Sequence, residues 1–322
     1  MKTHFFKGYG IAIFAAICFG SVGTISKLLS DQGLSVISLT VITSLGFIIL
    51  GVSSGLATSF KNLRIPLSLL LLCVLQGAVL NTLSRYFFFM AIQQLPVAIC
   101  STIMFCMVFP TMFVSRFLFH ESLSLKKIVL SGIALLGVGL ALNIFQPGNG
   151  YSLRAIIYIS LTTVICAGMN LISNYVLKRG ATSIQITTYS NLSTLVAVVL
   201  IQSPVKTLAS IGEVIQLDMT SNLLLMILLA GVSVGSIVFS IHSMKHISLT
   251  DATIFLSFDP ITATIFGMLV FGQTLLPIQL WGGSLIIISV VGVSLSDLSF
   301  PFTIQIKKRS IVFRKYIRQL EV

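Results

Sequence analysis

Leu118-Phe119-His120-Glu121-Ser122-Leu123 and, 152 residues further on, Val270-Phe271-Gly272-Gln273-Thr274-Leu275 break the chain in the same way. Each closes an apolar run, passes through a short polar turn and leads into a Gly/Ser-rich run, Ser131 to Gly139 after the first and Gly282 to Gly292 after the second. Working outward, a membrane helix needs about 20 apolar residues. Ten such runs fill the chain, at 8–29, 34–56, 66–92, 96–119, 125–145, 153–177, 182–202, 221–244, 248–272 and 277–297. The gaps hold helix breakers, among them Ser30-Asp31-Gln32-Gly33, Gln93 to Pro96 and Gln146-Pro147-Gly148-Asn149-Gly150. The last five runs start 145, 148, 155, 152 and 152 residues after the first five. This spacing predicts an all-α integral membrane protein of ten transmembrane helices in two five-helix repeats. An odd number of helices inserts the second copy upside down, so the repeats are expected to be inverted.

The organisation follows: a first five-helix repeat over 1–145, a connecting loop over 146–152, a second, inverted repeat over 153–297 and a basic tail over 298–322. Composition agrees. Hydrophobic residues make up 56% of the 322, before counting 24 Gly, and charged residues only 9%, where a soluble domain carries roughly 25%. So few charges do not cover a water-exposed surface, which argues against a soluble enzyme or a DNA-binding module. The net charge of +12 is scattered through the gaps and reads as a topology signal. Sixteen Lys and Arg fall on one side of the predicted spans, among them Lys2, Lys7, Lys61, Arg64, Arg116, Lys126, Lys127, Lys178, Arg179 and Lys245; only Lys27, Arg154 and Lys206 fall on the other. The excess places both termini in the cytoplasm. The first apolar run continues to Leu29 without a small-x-small cleavage site, so it is expected to be a retained helix and not a signal peptide.

Asp259 is the sharpest single feature, the twelfth residue of the run 248–272. An Asp at the bilayer centre costs about 2.5–3.5 kcal/mol on insertion scales, so it is expected to face a cavity or a partner. Pro260 follows it and removes a backbone donor, which predicts a helix break at the carboxylate. Asp259 is thus a candidate proton carrier or counter-charge for a cationic substrate, with a structural salt bridge as the alternative. Arg85 lies in the third run, and its 152-shifted equivalent is Ile237. It must find a carboxylate, a cavity or the interface; with Asp259 it would hold the two ends of a zwitterion, or the two would hold each other. Ser21, Tyr86, Asn170, Asn174 and His242 complete the candidate substrate- or ion-binding set, with Pro260 and Pro110 as helix breaks. Asn81, Asn170 and Asn174 are expected to point inward, because an Asn amide in lipid lacks hydrogen-bond partners.

Ten spans in two inverted halves, a Phe19-Gly20-Ser21 turn before Lys27, a Pro in the fourth helix of each half and a Leu-x-x-Glu-like ending before a Gly-rich last helix resemble the drug/metabolite transporter superfamily, in its EamA-domain branch. The pattern departs from that family where Pro110 stands two residues out of step with Pro260, where Gln273 replaces Glu, and where the sixth helix reads Cys166-Ala167-Gly168. The resemblance implies a secondary active exporter or exchanger of small metabolites, such as amino acids or amphipathic compounds, working by alternating access in the inner membrane. It places Lys27 near the outer mouth and makes Glu121 a helix-ending residue of structural use.

Competing readings rest on weaker strings. His246 and Asp251 form an HxxxxD pair like that of membrane acyltransferases, the alternative being a membrane-embedded enzyme; a passive channel is the other. Two GxSxG strings, Gly51 to Gly55 and Gly231 to Gly235, lie in apolar helices and lack the strand and strained turn of a nucleophile elbow. There is no GxxxxGK[ST] loop for ATP. The five cysteines all fall in apolar runs with no metal-ligand spacing. The chain is therefore not expected to be an enzyme, and no cofactor and no metal is expected. The expected partners are a small-molecule substrate, protons as coupling ion, and anionic lipid against the tail, where Lys307, Lys308, Arg309, Arg314, Lys315 and Arg318 alternate with apolar residues. Nucleic acid is not expected, and a homodimer is left open.

Overall fold

A computed structural model describes residues 2–57, 63–107, 109–111, 113–114, 125–142, 151–243 and 258–298, without the side chains of 2–9, Lys127, Asn174, 241–243 and 293–298. Arg116, Glu121, His246, Asp251 and the basic tail lie outside the described residues. All described elements are helices: α1 (Lys2–Asp31), α2 (Val36–Ala57), α3 (Leu67–Ile92), α4 (Val97–Phe105), α5 (Leu125–Ala141), α6 (Leu153–Lys178), α7 (Ser183–Ile201), α8 (Pro204–Leu217), α9 (Met219–Ser243), α10 (Asp259–Phe271) and α11 (Pro277–Leu298). Six of these, α1, α2, α3, α6, α7 and α9, are long and apolar enough to cross a membrane. Shorter apolar helices, Val97–Thr111, Ile128–Ala141, Asp259–Phe271 and Pro277–Gly292, stand at the predicted spans four, five, nine and ten.

Local chemistry repeats between the halves. Helix α1 ends on Gly33 at φ 98°, and α6 ends on Gly180 at φ 96°, a left-handed conformation that a Cβ disfavours. Both ends carry the same pair of closing bonds: Gly33 N–H to Ser30 O (2.9 Å) and Leu34 N–H to Leu29 O (3.0 Å), against Gly180 N–H to Leu177 O (3.0 Å) and Ala181 N–H to Val176 O (3.3 Å). These satisfy the orphan carbonyls of the last turn. Two residues after each glycine a hydroxyl opens the next helix, Ser35 accepting from Ser38 N–H (3.1 Å) and Thr182 accepting from Gln185 N–H (3.3 Å).

Packing repeats as well. Helix α1 lies on α9 and α10, and its counterpart α6 lies on α3 and α4; α2 packs on α9 as α7 packs on α3. Three pairs, α2 with α7, α4 with α10 and α5 with α11, join each helix to its own counterpart. The α5–α11 crossing is glycine on glycine. A Cβ on Gly137 would sit 2.8 Å from Gly282 O, and one on Gly282 would sit 2.6 Å from Gly137 O.

The main core closes one end of the bundle. Leu29, Leu34, Ile92, Leu95, Leu142 and Ala155, at the junctions α1–α2, α3–α4 and α5–α6, pack with Val214 of α8 and Leu229 of α9. Smaller clusters form elsewhere, Cys106, Phe109, Ala134, Ile286 and Val290 between α4, α5 and α11, and Leu69, Cys73, Val176 and Ile186 between α3, α6 and α7. All five cysteines are free, and four of them are buried.

Two features differ from the sequence reading. The Phe19-Gly20-Ser21 stretch is continuous helix inside α1, not a turn: Gly20 is there for contact, since a Cβ on it would meet Thr262 Cβ at 2.7 Å and Ala263 N at 2.8 Å on α10. The gap between predicted spans seven and eight holds the helix α8. Pro204 at its first turn needs no hydrogen-bond partner there. Fourteen residues are too few to span, and α8 instead lies against the start of α2, where Ser38 Oγ donates to Thr207 O (3.4 Å) and Ser35 N–H donates to Ser210 Oγ (3.3 Å). Its other face leaves Val205, Leu208 and Leu217 exposed.

Candidate functional site

The site grows from an irregularity in α3. Residues Gln76–Asn81 are π-helical, an insertion that widens the helix by one residue per turn and marks functional positions in many helices. Gly77 permits it: a Cβ there would collide with the Ser190 carbonyl and the Ser193 hydroxyl of α7. Gly77 O accepts from the backbone N–H and the Oγ1 (3.0 Å) of Thr82, and Thr194 Oγ1 of α7 stands 2.9 Å from the same oxygen. Asn81 closes the segment, buried, its Nδ2 donating to Thr194 Oγ1 (3.0 Å) and Asn191 Oδ1 (3.4 Å).

One turn on, Arg85 points into the bundle. Its Nη1 donates to Ser44 Oγ (2.7 Å), Thr43 Oγ1 (2.9 Å) and Thr40 O (3.3 Å) of α2, and its Nη2 to Asn191 Oδ1 (2.7 Å) of α7. The guanidinium also lies 5.9 Å from the centre of the Phe47 ring. The orientation of Asn191 is fixed by its own amide, which donates to Thr187 O (2.7 Å) and so turns the oxygen toward Arg85. Snorkelling is thereby set aside for Arg85: with polar partners on α2 and α7, the inward pose satisfies more donors than a reach to the surface.

Arg85 and Asp259 line one cavity of about 270 Å³. Helices of both halves contribute to it, α1 through Phe19 and Val22, α2 through Thr43 and Phe47, α3 through Asn81, Ser84 and Phe88, α9 through Ser233, Ser236 and Ile237, and α10 through Asp259. Asp259 is the first residue of α10, with Pro260 in the first turn where its missing N–H costs nothing. Its Oδ1 is buried without a hydrogen-bond partner among the described residues. Gly20 sets how close this turn comes to α1, since a Cβ on it would stand 2.9 Å from Asp259 O. Beside the cavity, Pro260 lines a second space of about 190 Å³ between α4, α10 and α11, where Gln279 Nε2 donates to Tyr151 Oη (2.8 Å) and Ala141 O (3.3 Å).

The other predicted residues lie elsewhere. Ser21 is buried, but its hydroxyl donates to Ile17 O (2.6 Å) within α1. Tyr86 is 41% exposed and packs edge-on against Phe87, on the side of α3 away from the cavity lining. Asn170 does not point inward: it is exposed and donates to Met107 Sδ (3.6 Å). Helical azimuth decides here, because Ala167 and Leu171 take the buried face of α6 at that level. Pro110 lines a separate apolar cavity of about 280 Å³ with Ser131 and Thr163. The side chains of Asn174 and His242 lie outside those described. Lys27 sits 5.2 Å above the Phe271 ring, tying α1 to α10. Thr40, Thr43, Ser44, Asn191 and Thr194 were missed by the sequence reading, although their spacing on α2 and α7 is the one-face helical period.

A family model described as the EamA-like transporter family matches residues 6–143 and, a second time, residues 153–295. Among solved structures 26 chains match. One, described as "Crystal structure of protein", has a TM-score of 0.60 at 16% identity, covering 90% of this chain and 96% of its own, which is a likeness of fold. No curated protein matches the sequence.

Proposed function

This chain belongs to the EamA-like transporter family, and on that premise we propose that it is a secondary carrier exporting or exchanging small metabolites through alternating access. All ten apolar helices span, the second repeat stands inverted to the first, and both termini face the cytoplasm of a bacterial inner membrane. The observation that carries this reading is the cavity holding Arg85 and Asp259, to which helices of both repeats contribute. A site on the seam between two repeats opens to either side when one repeat rocks against the other.

Asp259 is the residue that couples transport to protons. Its Oδ1 lacks a donor among the described residues, and a carboxylate in that setting changes its fit to the cavity when it gains or loses one charge. Protonated, it leaves the guanidinium of Arg85 as the charge on the cavity wall; ionised, it offsets that charge or holds a cationic group. Substituting Asp259→Asn mimics the protonated form permanently. In inverted vesicles that substitution is expected to abolish pH-gradient-driven uptake while leaving gradient-independent exchange in place. Unchanged gradient-driven uptake would reject the role of Asp259.

A further inference from the structure

We propose that the transported solute carries a compact anionic group, a carboxylate above all, and that Arg85 is the residue that receives it. The inference rests on the carrier reading above and adds the chemical class of the cargo. A guanidinium keeps its proton and offers five N–H donors in a planar fork. The four hydrogen bonds of Arg85 end on uncharged oxygens, those of Thr40, Thr43, Ser44 and Asn191. Three of them share Nη1 and one takes Nη2, so Nε–H and one Nη2 N–H have no acceptor among the described residues. Two free donors on one planar group are what a carboxylate engages with paired, charge-assisted bonds.

The neutral partners orient the charge without cancelling it. Held from α2 and α7 at once, the fork is preorganised, so a bound anion does not have to immobilise a long side chain. Phe19, Phe47, Phe88 and Met104 form an apolar side of the wall, while Asn81, Ser84, Ser101, Ser233 and Ser236 on it are polar but uncharged, and in this partly desolvated setting the attraction between Arg85 and an anion exceeds its value in water. Among the described residues the one other charged side chain on the lining is Asp259, whose Oδ1 is bonded neither to Arg85 nor to any other described donor. A volume of about 270 Å³ admits a small solute, and the aromatic wall suits an apolar body behind the anionic head.

The test uses the full chain in lipid nanodiscs and a panel of small acids, each with its primary amide and its amine on the same carbon skeleton; 3-phenylpropanoate, 3-phenylpropanamide and 3-phenylpropylamine form one set. Binding is read as a concentration-dependent rise in Tm and by titration calorimetry. Acids are expected to stabilise the wild type at concentrations where the matched amides and amines do not. Arg85→Gln is expected to weaken acid binding at least tenfold, with Arg85→Lys in between, since it keeps the charge and loses the fork. Thr43→Val, which loosens the fork and keeps the guanidinium, is expected to weaken it a few-fold and serves if Arg85→Gln does not fold. If no acid binds better than its amide, or if Arg85→Gln keeps the acid affinity, the proposal is overturned. Counterflow in proteoliposomes separates it from the carrier reading. Counterflow with no preference for acids would keep the carrier and remove the anion site, whereas acid binding without counterflow of any bound acid would keep the site and remove the carrier.

Discussion

Asn191 shows how much one amide can hold together. Its oxygen accepts from Arg85 (2.7 Å) and Asn81 (3.4 Å), and its nitrogen donates to Thr187 O (2.7 Å). Replacing it by Leu would leave Nη2 of Arg85 without its acceptor in a buried place, which is expected to cost about 1–3 kcal/mol. Thermal unfolding of detergent-solubilised protein checks this, and Asn170→Ala, at an exposed position, is expected to stay within about 0.5 kcal/mol. The contrast explains what the sequence made readable at this scale. Asp259 and Arg85 stand out in any apolar run because a charge there is expensive. Thr43, Ser44 and Thr194 do not, since a small hydroxyl returns its hydrogen bond to its own helix and hardly lowers hydropathy; Thr43 Oγ1 to Leu39 O (3.0 Å) and Thr194 Oγ1 to Ser190 O (2.9 Å) are such bonds. Tyr86 and Asn170 were picked by residue type alone, which says nothing of the direction they face. Thr187, Ser190, Asn191 and Thr194 recur at the one-face spacing on α7, and that period is the signal that finds the site.

At the scale of elements, close crossings do what side-chain chemistry does at the site. Two glycines of α5 separate the effects. Gly137 faces Gly282 O and the Ile286 side chain, whereas Gly132 has open space where a Cβ would go. Gly137→Ala is therefore expected to force α5 from α11 and lower stability by about 1–3 kcal/mol, while Gly132→Ala gains up to about 1 kcal/mol of helix propensity; a pair of denaturation curves decides. Gly20 adds a functional version. Its Cβ would press on Thr262 Cβ and on Ala263 N and Asp259 O, the last two backbone atoms that do not yield. Gly20→Val is expected to displace the first turn of α10 and cut transport at least tenfold, with the Tm falling far less than for a core truncation. Equal transport by the variant would show that the α1–α10 distance does not set the site. Elements were legible in proportion to their apolar length. The six long helices follow directly from the hydropathy runs, but α8 begins with the readable Ser203-Pro204 signal and has too few apolar residues to register as a run. The π-helical stretch of α3 had no sequence mark except Gly77, because the partner that demands it, Ser190, is 113 residues away.

Across the whole molecule, the repeat visible as a lag of about 150 residues returns as matched closing bonds at Gly33 and Gly180 and as packing that survives exchange of the halves. Residue identity between the halves is low, since what the repeat preserves is where helices stop and where backbones touch. The site does not share the symmetry: Arg85 has Ile237 at its shifted position, and both line the same cavity. A pair of repeats thus holds a single-copy charge, and under the proposed alternating access a symmetric motion would act on one asymmetric solute. The inversion itself is open to a direct measurement at equivalent positions of the two repeats. Asp31 and Lys178 lie at the ends of α1 and α6 and are both exposed, so a cysteine at either is reachable by a membrane-impermeant maleimide. Four native cysteines are buried, and the half-buried Cys166 on the cavity lining is replaced by Ser beforehand to remove background labelling. With inverted repeats, Asp31→Cys labels from outside intact cells and Lys178→Cys only after the inner face is opened. With repeats inserted in parallel, both label from one side, and the two halves could then not open the cavity alternately by exchanging roles.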